Sequence, residues 1–483
     1  MRVSTVRTTL VVVSVLALAS SVACARGRSP RRAAQSARPQ PTALRTLAAL
    51  DPTEAYRRVG FLTTSGPVPF VGTVRFLAGP TPDSVLTIVA VSLPSRSLTF
   101  TREGERYRAT YEVEFELLQK TTGTARTVGE FKARETVRVS SLRETARNEE
   151  SIIFQQFVVV PPGSYTAALT VRDLGTNRSG TAEASVVAPQ FRSSMSDRTP
   201  TAVALALPVP VHMATPRASR LTLPDLIVSA RSTAIFGRDS AMRVYFEWYG
   251  LGTATVTDRA PLVRFSVRTD DGRELHTDSV AASAWGADGE VAAAVAQVPV
   301  AKVGLGRLRI TAWRTGSADT VSTPVFVSAA DDLAAVSLEE LLGYLRYFAT
   351  TERLRMLRDT VPEARAKVWT AFLRATDPLP ATPEHEALRE YFGRLAVANA
   401  RFRGEEVPGW LSDRGMVYST LGEPDRVVEP RSGEGQPRER AQVWEYTEHR
   451  LRLVFIEQDG VQRWRLTPNS SVEFQGAAER VKR

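Results

Sequence analysis

Three carboxylates near the end of the chain, Asp413, Glu423 and Asp425, lie close enough in sequence to pair for acid–base work. One would stay protonated and the other ionised across a susceptible bond, which would make the protein a hydrolase acting on an envelope polymer. The commoner fate of carboxylates around a turn is exposure to water. Other reactive types are sparse. His212, His276, His385 and His449 are scattered, and none has a second His or Cys at metal-ligand spacing. His385-Glu386 lacks the later His of a zinc-protease helix, so all four read as lone surface histidines. There is no Gly-x-Ser-x-Gly elbow and no Gly-Lys-Ser/Thr phosphate loop, and Gly304-Leu305-Gly306 reads as a turn. These residues assign no metal, no cofactor and no catalytic group.

The single cysteine, Cys24, offers a different chemistry. Arg2 and Arg7 precede an uncharged, mostly apolar stretch from Thr8 to Ala23. Its 16 residues fall short of the roughly 20 a membrane-crossing helix requires, so residues 1–23 read as a signal peptide. Ser21-Val22-Ala23-Cys24 then fits a loose lipobox, in which the thiol is acylated and anchors the protein to a membrane. Ala23-Cys24-Ala25 also fits ordinary signal peptidase, which would remove the cysteine. The lipidated reading places the protein in the cell envelope, at the outer membrane facing the periplasm. With one cysteine there is no disulfide within the chain.

The formal net charge of +10 is unevenly spread. Residues 1–23 carry +2, residues 24–50 carry +6 without an acid, and only +2 remains from Asp51 onward. A balanced body with a basic tether points to a membrane surface, and no nucleic-acid partner is expected.

These groups need elements to hold them. The length suggests roughly three domains. Short apolar or alternating runs separated by Pro/Gly/Asn turns indicate a multidomain α+β chain opening with two antiparallel β-sandwich, Ig-like domains at 51–190 and 191–329. After Asp331 the period changes. Leu338, Leu341, Leu342, Leu345 and Phe348 mark one amphipathic helix, and a second run covers 362–375. A third follows Thr382-Pro383 and carries Leu388, Phe392, Leu395, Asn399 and Phe402 on one face. Ser412 can cap a short helix stopped by Gly422, although Gly415, Val417 and Thr420 leave a strand possible. Strands at 443–446, 451–456 and 463–466 follow, the last two joined by an Asp459-Gly460 turn. A helical plus α/β domain thus spans 330–475, and 476–483 is left as a tail.

Residues 372–428 contain Gly409-Trp410-Leu411-Ser412-Asp413, followed by Arg414-Gly415, Tyr418 and Gly422-Glu423-Pro424-Asp425. This stretch resembles the GWxTD domain family, bacterial envelope lipoproteins without an assigned activity. Upstream, Asp377-Pro378-Leu379-Pro380-Ala381-Thr382-Pro383-Glu384, Tyr391, Arg394, Ala398-Asn399 and Phe402 fit as well. Ser412 replaces the family's Thr and keeps the hydroxyl. A caps-and-core reading makes Trp410 an apolar anchor, Ser412 a cap and Asp413 a partner of the helix dipole. A binding reading lines a cleft for a partner or ligand with Trp410, Asp413, Arg414, Tyr418 and Asp425. The leading expectation is a non-catalytic, lipid-anchored protein that binds an envelope protein through this domain. The rivals are the hydrolase above and a carbohydrate-binding sandwich with Tyr245, Trp248 and Tyr249 as its aromatic strip.

Overall fold

Alternating side chains between residues 62 and 188 build two antiparallel sheets. The computed structural model describes residues 52–121, 124–145, 151–193, 197, 199, 202–251, 260–286, 290–314, 319–331, 333–381, 385–403, 407–429, 440–458 and 463–483. The signal peptide, Cys24, the tether, Thr382-Pro383 and Asp459-Gly460 lie outside the described residues. The first sheet runs Leu62–Thr64, Phe70–Ala78, Val85–Pro94, Ser151–Val160. In the second, Arg106–Thr121 lies between Thr124–Val139 on one side and Gly163–Asp173 on the other, and Ser179–Ala188 follows. Leu77 and Val91 from one sheet share a core with Phe115 and Leu169 from the other. The sheets touch at Gly72, where a Cβ would sit 2.6 Å from Leu169 Cδ2.

Two further five-stranded sheets follow. One contains Val209–Thr215, Ala241–Tyr249 and Val291–Pro299; the other contains Leu262–Thr269, Gly306–Arg314 and Thr320–Ser328. Ala241–Tyr249 is covered on both faces, which explains its nearly unbroken apolar run. Val244, Phe246 and Trp248 pack with Val263 and Phe265 inside the second sandwich. Tyr245 and Tyr249, one residue out of phase, join the core of the first. All three expected platform aromatics, Tyr245, Trp248 and Tyr249, are 0% exposed, so they form no strip for sugar stacking.

Glu247 shares the face of Tyr245 and Tyr249 and is itself buried. Arg217 forks onto it at 2.7 and 3.0 Å and also donates to Ala78 O of the first sandwich at 2.8 Å. Both tyrosine hydroxyls donate to the same carboxylate. Burial, reinforced by the Glu247 charge, holds both phenols far above their ordinary pKa, so they keep the protons they donate. A buried charge is tolerable only when its hydrogen bonds are filled in this way.

Beyond Asp331 the chain turns helical. Ser337 and Glu340 form a reciprocal capping box at the start of Leu338–Tyr344. That helix tightens into a 3₁₀ turn over Leu345–Tyr347, short of the single helix reaching Phe348 that the spacing suggested. Thr351–Asp359, Pro362–Thr376 and Glu386–Arg401 come next, then Asp413–Leu421. A sheet ordered Arg426–Val428, Ala441–Tyr446, Leu451–Gln458, Arg463–Leu466 follows. Residues 476–483, read as a tail, mostly belong to a final helix, Pro468–Val481. Thr467 caps it, and Phe474, Ala477 and Ala478 bury one side of it. The core of the second sandwich continues without a break through Val336, Leu341 and Leu345 to Trp410, Trp444 and Phe455. Among the described residues no helix is long and apolar enough to cross a membrane.

Candidate functional site

The Gly-Trp turn is built by two glycines lying back to back. Gly409 opens a 3₁₀ turn, Gly409–Leu411, pressed on the end of the Glu386–Arg401 helix. A Cβ on Gly409 would lie 2.7 Å from Ala398 O and 2.8 Å from Asn399 O. One on Gly415 would lie 1.9 Å from Gly409 O. Both contacts are with backbone, so only glycine permits this approach. Ser412 Oγ accepts from Gly415 N at 3.1 Å and donates to Gly409 O at 2.8 Å. The hydroxyl therefore caps the Asp413–Leu421 helix and ties it to the turn, and serine does this as threonine would. Gly422, at φ 88°, ends the helix in the left-handed region.

Trp410 points inward and is 0% exposed. Its ring lies 5.4 Å from Tyr344 and 6.2 Å from Tyr347, with the Arg346 guanidinium 5.4 Å above it. It therefore presents no surface to a partner. Asp413 bridges to the last strand, accepting from Arg465 Nη1 at 3.1 Å and Leu466 N at 2.8 Å. Arg414 lies between the rings of Phe402 and Trp464, 5.1 and 4.9 Å from their centroids. Such stacking is a use of guanidinium that lysine would not reproduce.

Tyr418 belongs to a separate cluster. Arg401 pairs with Glu423 at 2.6 and 2.8 Å, and Tyr418 bonds to both. Burial pushes the Glu423 carboxyl up, but the bonds from Arg401 and Tyr418 outweigh it and leave the pKa lowered. Asp425 accepts from Thr447 N at 2.6 Å, which lowers its pKa too. The three carboxylates thus hold three separate sets of donors, and no two share one.

Two residues of the module escaped the sequence reading. Arg401 was detectable only as a basic residue in a last helical turn. His385, read as a surface histidine, is the N-cap of Glu386–Arg401: Nδ1 accepts from Leu388 N at 3.1 Å and Nε2 lies 2.9 Å from Thr376 Oγ1. Thr376 Oγ1 also donates to Phe372 O, so the neutral ring with its proton on Nε2 satisfies every bond. Burial lowers the His385 pKa and favours that form. Among the described residues no group of three or more His, Cys, Asp or Glu is placed to hold a metal ion.

Together these features define a multidomain α+β protein in which paired sandwiches lead into a small module organised around a Gly-Trp turn. Residues 315–466 match the GWxTD domain family, and the chain is a GWxTD domain-containing protein. No curated protein matches it. Among solved structures, trypsin-activated alpha-2-macroglobulin from Escherichia coli is similar at 11% identity and a TM-score of 0.17, over 58% of this chain and 18% of that one. A glycosyl hydrolase family 2 member from Bacteroides cellulosilyticus is similar at 9% identity and a TM-score of 0.14, over 57% of this chain and 30% of that one. The chain therefore spans less than a third of either protein, and scores this low carry no argument about fold or activity.

Proposed function

We propose that this is a lipid-anchored, non-catalytic protein of the bacterial envelope that binds a protein partner through its GWxTD module. The observation that carries the non-catalytic reading is the state of the three carboxylates. Asp413, Glu423 and Asp425 are each engaged by hydrogen-bond donors of their own chain, and those donors hold the Glu423 and Asp425 carboxyls below their ordinary pKa. A general acid needs a carboxyl free to take up and release a proton near neutral pH. Ordered, paired polar groups such as Arg401, Glu423 and Tyr418 suit recognition better, and the Arg401 and Glu423 side chains reach solvent. The anchor rests on Cys24, the only cysteine, at the end of the apolar N-terminal stretch. Six arginines in the adjoining tether would each add about 1 kcal/mol of attraction to an anionic surface, and the outer membrane facing the periplasm is the proposed location.

Cys24→Ser tests the anchor: the protein should leave the membrane fraction, and unchanged fractionation would refute lipidation. For the module, full-length protein and Arg401→Glu are compared by cross-linking in envelope fractions. A partner held by the first and lost by the second supports the assignment, and identical partners for both would refute it. Truncation before Asp331 is unsuitable, because it would strip Leu341 and Leu345 from the core of the second sandwich.

A further inference from the structure

A cavity of about 480 Å³ lies where the first sandwich, the second sandwich and the segment entering the GWxTD module meet. Ser92 and Ser151 come from the first sandwich, Arg243 and Gln297 from the second, and Asp331 from the connecting segment. Its volume is that of a small-molecule site, and its chemistry is unusual for a domain junction.

The charges do not cancel. Arg238 meets both acids of the cavity: it forks onto Asp331 at 2.6 and 3.4 Å and reaches Asp239 at 3.3 Å. Asp239 is further engaged by Ile235 N at 2.7 Å. With Arg231 and Arg243 the lining holds three guanidiniums against two carboxylates, which leaves one net positive charge. Arg243 donates to His212 O at 2.8 Å and Arg231 to Asp331 O at 3.3 Å, both backbone carbonyls. Among the described residues neither has a carboxylate partner, and Arg231 Nε is buried with no acceptor. A buried donor without an acceptor is costly unless something fills it. A net positive charge in a partly enclosed cleft, with Arg231 and Arg243 bonded only to backbone carbonyls, attracts an oxyanion, because Arg presents parallel donors to carboxylate and phosphate alike.

The rest of the lining is mixed. Ser92, Ser151, Ser240 and Gln297 bring hydrogen-bonding groups to it, beside Ile153, Val211 and Met242. Gln297 stands directly across the sheet from Arg243, so an anion on Arg243 would bring its neighbouring atoms onto the amide. We propose that this cleft is a binding site for a small phosphorylated or carboxylated polyol, with Arg231 and Arg243 taking the oxyanion and the serines and Gln297 taking the hydroxyls.

The test is calorimetric titration of the full chain with glucose 6-phosphate, glucuronate, inorganic phosphate and glucose. At least one of the two anionic sugars should bind, and which one does distinguishes phosphate from carboxylate. Arg243→Ala, on an exposed position that leaves the core intact, should weaken that binding at least about tenfold, as loss of a charged hydrogen bond does. Arg231→Ala should act in the same direction. Failure of both sugars to bind, or unchanged affinity in Arg243→Ala, would overturn the proposal. Glucose binding as tightly as its phosphate would remove the oxyanion from it, and inorganic phosphate binding as tightly would remove the polyol.

Discussion

Gly415→Ala sets two physical effects against each other. Helix propensity alone predicts a gain, since glycine inside a helix costs about 0.5–1 kcal/mol relative to alanine. Packing predicts the reverse. The new Cβ would stand 1.9 Å from Gly409 O and 2.8 Å from Gly409 C and Trp410 Cα, all backbone atoms. Restoring an ordinary contact requires the turn to retreat by roughly 1.5 Å in an interior that is packed like a crystal. That movement would pull Trp410 from its place beside Tyr344 and break the Ser412 cap. Overpacking of this kind costs about 3 kcal/mol at the upper end of its usual range, and the cap about 1 kcal/mol. Subtracting a propensity gain of about 1 kcal/mol leaves a net loss of about 3 kcal/mol. Gly393→Ala supplies the control, because it lies within the neighbouring Glu386–Arg401 helix and a Cβ there meets nothing within 4 Å. It should gain about 0.5–1 kcal/mol. Urea unfolding reads both as shifts of midpoint at constant slope. If the two substitutions move the midpoint in the same direction, the reasoning fails.

Three other outcomes follow from the same structure. Arg217→Met should cost about 3–5 kcal/mol, because it strands Glu247 in the junction, and a urea midpoint within error of wild type would contradict this. Ser412→Ala should cost about 1 kcal/mol while Ser412→Thr stays near wild type, read by the same measurement. The His385 cap should respond to pH: its folded pKa lies below the ordinary value near 6.5. Its stabilisation is therefore complete above about pH 6.5 and declines as pH falls towards the folded value. His385→Asn, which keeps a capping acceptor without the titration, should flatten that part of the stability–pH curve, and an unchanged slope would exclude His385 as its source.

Local chemistry was what the sequence revealed best. The Ser412 cap and the Gly422 stop depend on a few consecutive residues, and they stand where the spacing puts them. Even there, the poor helix formers Gly415, Val417 and Thr420 left a strand possible. Burial of all three against the turn and the sheet overrides propensity. What stayed hidden was set by distant partners. Trp410 reads equally well as anchor or contact residue until Tyr344 and Tyr347, more than 60 residues earlier, close over it. Tyr245, Trp248 and Tyr249 resemble a binding strip until the nearly unbroken apolar run of Ala241–Tyr249 is read as a strand covered on both faces. The Pro468–Val481 helix was missed although Thr467-Pro468 repeats the Thr-Pro start signal read at Thr382-Pro383.

The unbroken core from Val263 and Phe265 to Trp410 and Phe455 bears on how such chains are inherited. A gene segment can move to a new context only if its product closes its own apolar surface. Residues 330–475 alone would not, since Val336, Leu341 and Leu345 would lose the second sandwich as neighbour. The family match itself starts at 315, ahead of the sandwich strand Thr320–Ser328 rather than at the first helix. The second sandwich cannot part from the first by the same test, since Val211, Tyr245 and Tyr249 lie in the first sandwich's core, so both sandwiches and the module form one transferable unit. Grafting experiments and searches for recombination breakpoints should therefore avoid joints at both Val209 and Asp331.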